Sequence, residues 1–236
     1  MDQMLKDIVD PYMQKVPEVR GYCKRCLEVK RWGGSIVLMV LDAAFTSVGL
    51  NYFQIVVPRV ERFRQEFVIT GEIDNLEGLM SIDPNDKRVE EIWKNKRSWN
   101  IAKSIASYLV KIKHKNNFDD RQAFANWARQ SRLDTWQDDP IGRINGVGIN
   151  TFQYLRMMAG IDTLMPDKIV KKVIGEILGK AGMEMPSNDV DFVKLVEKIA
   201  RETGYKAIEL CWMTWLIQSE AGVTRIKKYS RVLERI

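Results

Sequence analysis

The sequence is poor in the residues on which much enzyme and scaffold chemistry depends. Its three cysteines, Cys23, Cys26 and Cys211, are too few and odd in number for a disulfide framework, and a reducing compartment fits that usage. Cys23-Lys-Arg-Cys26 has the spacing of half a zinc site. No second such pair and no neighbouring histidine pair completes four ligands, so both thiols read as structural. His114 is the single histidine and sits among Lys111, Lys113 and Lys115, which closes off a Ser-His-Asp triad and a multi-histidine metal centre. Long apolar runs are missing too. The most apolar stretch, Ser35 to Leu50, is interrupted by Asp42 and is too short to cross a bilayer comfortably, so it reads as a buried helix of a soluble protein. The opening MDQMLKDIVD carries acids where a signal peptide has a basic start and an apolar core. Repeats, low-complexity tracts and Ser/Gly/Pro linkers are absent, so any two lobes pack closely rather than swing on a tether.

What is present is a globular balance: 236 residues, 45% hydrophobic and 29% charged, enough for one large or two small cores. Lys and Arg (37) exceed Asp and Glu (31), for a formal charge of +6. That excess favours anionic partners, although a solvated surface accounts for it equally.

Apolar residues recur at steps of three and four almost everywhere. Ile101, Ile105, Tyr108, Leu109 and Ile112 make one stripe, and Phe192, Leu195, Val196 and Ile199 another. Ser98 is positioned to cap the first helix and Ser187, Asn188 or Asp189 the second. Further helices are predicted around 3–15, 19–30, 35–48, 54–68, 87–95, 120–131, 149–159, 168–179 and 205–219. No stretch alternates as a strand does, so the expected class is all-α.

The informative segment runs from Ile144 to Gly160. Gly146 and Gly148 bracket Val147 just before a strongly patterned helix. Two glycines allow positive φ and leave no side chain between the main chain and an approaching group. The helix that follows turns unpaired N–H groups outward, an arrangement that suits phosphate. A tight turn between packed helices explains the three residues just as well. Downstream come Thr151, an apolar helix through Tyr154 and Leu155, a loop ending in Pro166, and then Asp167-Lys-Ile-Val-Lys-Lys-Val173. Together these resemble the helix-hairpin-helix DNA glycosylase superfamily (HhH-GPD), whose endonuclease III-like members join a Leu-Pro-Gly-Val-Gly hairpin to an Asp at the start of a later helix. A fainter likeness lies in Leu41-Asp-Ala-Ala-Phe-Thr46, at the place of the family's Leu-Leu-Ser-x-Gln-x-Thr.

The resemblance implies a two-lobed helical fold with double-stranded DNA held across a cleft. Residues 31–161 would form the central lobe and 1–30 with 162–236 the second. It implies hydrolysis of the N-glycosidic bond of a damaged or mismatched base, with Asp167 stabilising a cationic transition state. The backbone around Gly146, Val147, Gly148, Asn150 and Thr151 would hold the DNA strand, and Trp136 is a candidate wall for the extruded base. A monomer is implied that works in the cytoplasm on the nucleoid, or in a nucleus, without cofactor or metal. Departures from the pattern matter as well. Asn145 stands where the family has Pro. Asn150 stands where bifunctional members carry a lysine nucleophile, and an amide forms no Schiff base, so lyase activity should be absent. The iron–sulfur cysteines are missing. Ala44 replaces a Gln that fills the gap left by the base, so another residue must take that task.

The residues themselves leave Asp167 with two readings. At a helix start beside Lys168, Lys171 and Lys172 it should be charged, as transition-state stabilisation requires, and the same facts describe an ordinary N-cap. Asp162 is a rival that lies too soon after the hairpin helix. Trp212 and Trp215, at helical spacing, read as core. The clusters Lys111–Lys115 and Arg225–Arg231 suit phosphates or plain solvent. Two other classes of function stay open: a DNA-binding module without catalysis, and a helical interaction protein in which the glycine turn merely joins helices.

Overall fold

The computed structural model describes residues 2–236 and is all-α apart from one minimal hairpin. Its helices are α1 (Asp2–Met13), α2 (Val19–Leu27), α3 (Ile36–Thr46), α4 (Val57–Phe63), α5 (Leu76–Ser81), α6 (Lys87–Ile92), α7 (Lys96–Asn116) and α8 (Asp120–Gln130). They continue with α9 (Ile149–Met158), α10 (Lys168–Lys180), α11 (Asp189–Thr203) and α12 (Ala207–Leu216). Strands β1 (Ser219–Glu220) and β2 (Val223–Thr224) pair antiparallel before the single turns α13 (Arg225–Lys228) and α14 (Ser230–Leu233).

The helix expected over 54–68 is α4 extended at both ends by wider π-type turns, Tyr52–Val56 and Arg64–Val68. The expected break from Thr70 to Asp86 contains α5, started by Asn75, whose side chain accepts the N–H of Gly78 at 2.8 Å. Ser98 does not cap α7. It lies buried inside the first turn, and Asn95 accepts its N–H instead. Asn188 caps α11 by accepting from Asp191 at 2.9 Å. The run expected over 205–219 stops at Leu216, where the chain turns into the hairpin.

Helix α3 is the centre of the molecule: every residue from Ile36 to Phe45 is buried, against α7, α9, α4, α5 and α8. Helix α1 packs on α11, α10 and α12, and α2 on α12 and α9, so the start of the chain folds onto its last third. Cys23 donates to the carbonyl of Ile208, and all three cysteines are buried and free. The buried apolar side chains form one continuous cluster. Truncating any of its leucines or phenylalanines to alanine costs about 2–5 kcal/mol. Among the described residues no helix is long and apolar enough to cross a membrane.

Asp42, which interrupts the apolar run, is fully buried on α3 and satisfied there. Its Oδ2 accepts from Trp32 Nε1 (2.7 Å), Tyr154 OH (2.9 Å) and Tyr52 OH (3.0 Å), with Arg31 Nη2 at 3.5 Å; Thr46 Oγ1 lies 3.4 Å from Oδ1. A buried carboxylate needs such partners because leaving water without them is costly. Trp32 adopts a left-handed φ of 54°, unfavourable for a side chain of that size. Its bond to Asp42 holds it there.

Candidate functional site

Helices α9 and α10 both begin at one open cleft of about 620 Å³. The C-terminal end of α3 (Thr46, Ser47) and the loop through Leu50 to Tyr52 form one wall. Met165, Asp167, Lys168, Ile169 and Trp215 form the other, and Gly146, Gly148, Asn150 and Thr151 close one side. Its size is that of sites for small molecules or single heterocycles.

The turn into α9 is built by Gly146. At φ +101° it occupies a conformation unsuited to L side chains, and a Cβ there would lie 2.7 Å from Arg97 Nε and 2.8 Å from Ile101 Cδ1. Gly148 differs from the expectation: its φ of −101° is extended, and what its missing side chain provides is open space, with nothing within 4 Å. The N–H groups of Ile149, Asn150 and Thr151 are those an α-helix leaves without an internal partner, and Gly148 has no side chain to take them. Asn150 is exposed and Thr151 buried at the cleft edge. Val147 is a correction: its side chain is only 8% exposed and packs into the core, and its N–H is bonded to the Ile144 carbonyl at 2.9 Å. Neither group of Val147 is available to a ligand.

Asp167 is the N-cap of α10. Its Oδ1 accepts the N–H groups of Ile169 (2.8 Å) and Val170 (2.9 Å), while Oδ2 accepts Trp215 Nε1 at 2.7 Å. It is half-buried and faces the cleft. The expectation of an easily ionised carboxyl needs correction. Burial pushes its pKa above the ordinary value, against the opposing pull of the Val170 N–H, the Trp215 indole, the Ile169 N–H and the Arg225 charge. Lys168 forms no ion pair with it and projects from the rim, exposed.

Trp215 is a further correction. Its helical spacing with Trp212 reads as core, yet it is half-buried, lines the cleft and orients Asp167. Trp136 is the converse. Leu133 and Ile141 hold its loop to the core, and its ring packs on buried Phe152 at a centroid distance of 6.1 Å, so it is not a wall of the cleft. Ala44 is fully buried within α3 and reaches no ligand. Asp162 accepts the N–H of Ile208 at 3.0 Å near the start of α12, a structural role away from the cleft. Lys113 is paired with Asp120 (2.7 Å) and Glu77 (2.8 Å), and Arg225 and Lys228 with Glu220 (2.8 and 2.9 Å).

The cleft deepens into a narrow recess of about 20 Å³, space for roughly one water, lined by Thr46, Tyr52, Tyr154, Met165, Cys211, Trp212 and Trp215. Burial pushes up the pKa of both phenols and of the Cys211 thiol, so all three stay neutral. Among the described residues no cluster of His, Cys, Asp and Glu is arranged to hold a metal ion.

No curated protein and no solved structure matches the chain. One family does, described as a domain of unknown function (DUF8548), over residues 10–219. That span covers most of the 236 residues and takes in every side chain that lines the cleft, so the chain belongs to the DUF8548 family.

Proposed function

We propose that this protein is a monofunctional DNA N-glycosylase of the helix-hairpin-helix kind, with residues 31–161 as one lobe, 1–30 and 162–236 as the other, and duplex DNA across the cleft. The observation that carries the reading is that a carboxylate at one helix start and a glycine-built turn at another line the same cleft. The free N–H groups of α9 and exposed Lys168 suit the phosphates of one strand. Extruding a nucleotide into the cleft brings its sugar toward Asp167. As the C1′–N bond breaks, its electron pair leaves with the base, and Asp167 stabilises the cation left on the sugar. Water then adds to C1′ and loses its proton to solvent. Asn150 offers no amine, so no imine and no strand cleavage follow. Leu50, 47% exposed on the cleft rim, is the apolar side chain placed to fill the gap in the duplex.

The test is incubation with duplexes that each carry one damaged or mismatched base, followed by alkali to cut abasic sites. Alkali-dependent cleavage, reduced about 100-fold or more in Asp167→Asn, is expected. Full activity in that variant, or cleavage before alkali, contradicts the roles assigned. The unpartnered N–H groups of α9 also fit a module that binds DNA without chemistry. Salt-sensitive duplex binding with no base released from any substrate would favour it.

A further inference from the structure

Arg225 begins the single turn α13, where its N–H closes the terminal hairpin on the Gln218 carbonyl, and it does not line the cleft. Its guanidinium lies over the Trp215 ring, 5.1 Å from the centre, and that indole donates from Nε1 to Asp167 Oδ2 at 2.7 Å. Cation, ring and carboxylate therefore follow one another from the hairpin to the cleft. One edge of the guanidinium is spent on Glu220, whose Oε1 accepts from Nε at 2.8 Å, while Nη1 is enclosed without a partner. Glu220 also meets Lys228 at 2.9 Å, so one carboxylate sits between two cations and the trio keeps a net positive charge. The segment that carries Arg225 is pinned at two further points. Tyr229 donates to Glu220 and stacks on Phe53 at 4.3 Å, beside Tyr52 of the facing wall, and Arg25 donates to the carbonyls of Leu233 and Ile236.

We propose that Arg225 is a positioning residue of the candidate site: stacked on Trp215, it fixes the indole that orients Asp167 and supplies that carboxylate with a countercharge across the ring. The use of Asp167 in a reaction rests on the glycosylase reading; the coupling of the two charges does not. Arginine suits the task because its planar guanidinium lies flat against a ring and stays charged at any working pH. A cation on the ring face also strengthens the indole N–H as a donor to Oδ2. The other charged and titratable groups around Asp167 do not replace it. Lys168 and Lys172 are exposed, where water weakens their pull, and Lys171 is paired with Asp189. The Cys211 thiol and the phenols of Tyr52 and Tyr154 are neutral, and beyond them Arg31 and Asp42 pair with each other. Burial raises the Asp167 pKa, and Arg225 is among the groups that pull it back.

The test follows two NMR signals of the full chain without DNA: the Asp167 carboxyl carbon, assigned by its loss in Asp167→Asn, and the Trp215 indole N–H, assigned with Trp215→Phe. Arg225→Met keeps most of the stem and removes the charge, so the titration midpoint of Asp167 should rise. Arg225→Gln, a second neutral variant, should give the same rise, and Arg225→Lys should restore most of the parent midpoint. Glu220→Gln removes the anion that competes for Arg225 and should move the midpoint down. The Trp215 N–H should exchange with water about tenfold faster in Arg225→Met than in the parent. A midpoint that stays put or falls in both neutral variants, or that moves the same way in Arg225→Met and Glu220→Gln as a loosened hairpin would make it, overturns the proposal. Thermal melting shows which variants are folded. A second arm measures base release against pH from duplexes carrying uracil, hypoxanthine or 7-methylguanine. Where a base is released, Arg225→Met should carry the acid limb upward with the carboxyl midpoint, while duplex affinity stays within about twofold of the parent. No release from any duplex removes the glycosylase reading and leaves the role of Arg225 to be decided by the two signals. Release whose acid limb ignores a shifted midpoint removes Asp167 from the reaction and leaves the coupling standing.

Discussion

Asp42 and Asp167 are two carboxylates that each accept an indole N–H at 2.7 Å, and they sit in opposite surroundings. Asp42 is enclosed, with partners on every side from α3, the turn before it, the π-type turn after it and α9. Asp167 is held from one side only, by its own helix and Trp215, and its other side opens to the cleft. The first carboxylate is part of what keeps the fold together. The second caps α10 and is held there at a cost in desolvation. Residue type says nothing of this difference; the surroundings decide it.

The largest effect should come from Asp42→Ala. It leaves Arg31 buried without its counter-charge and frees three hydroxyls, so a loss of about 3–5 kcal/mol is expected in denaturant unfolding. A loss below about 1 kcal/mol would mean that the cluster is not the keystone described.

Gly146→Ala forces a methyl against Arg97 and Ile101 at a positive φ, for about 1–3 kcal/mol by thermal melting, and should also weaken any ligand of the cleft. The same substitution at Gly148, where space is open, should cost less.

Glu220 supplies a third carboxylate for the comparison. A hydrogen bond from Tyr229, with further help from Lys228 and Arg225, holds its pKa down at about 2, against an ordinary 4.5. A depressed acid stabilises the fold above its unfolded pKa, so this contribution is lost as pH falls from about 4.5 toward 2. Glu220→Gln should remove about 1–2 kcal/mol at neutral pH and flatten that part of the acid limb.

Asp167 has the opposite sign. Its pKa is raised from 3.8, so the native state holds the proton more tightly, and stability falls as pH rises from 3.8 through the raised value. Asp167→Asn should therefore leave stability within about 1 kcal/mol of the parent or slightly above it, while removing the proposed glycosylase activity. A large destabilisation would make Asp167 a structural cap like any other.

Much of the fold was legible because it is local. Helix periodicity, the Asn188 cap and the Pro166-Asp167 helix start are all written within a few residues. Asp42 was legible only in part: a lone acid in an apolar run must find partners, but Tyr52 and Tyr154 lie ten and 112 residues away. Trp215 and Trp136 were misassigned because a helix or loop pattern shows which ring is half-buried no better than which neighbour it meets. That is fixed by how α12 sits beside α10 and how the 131–148 loop closes on α9. Asp167 was placed by its sequence neighbours, whereas its raised pKa comes from burial that only tertiary packing creates.

The docking of α1 and α2 onto α10, α11 and α12 also orders events on the ribosome. Helices α1 and α2 emerge during translation well before the surfaces they cover exist, so their apolar stripes stay uncovered until α10, α11 and α12 have been made.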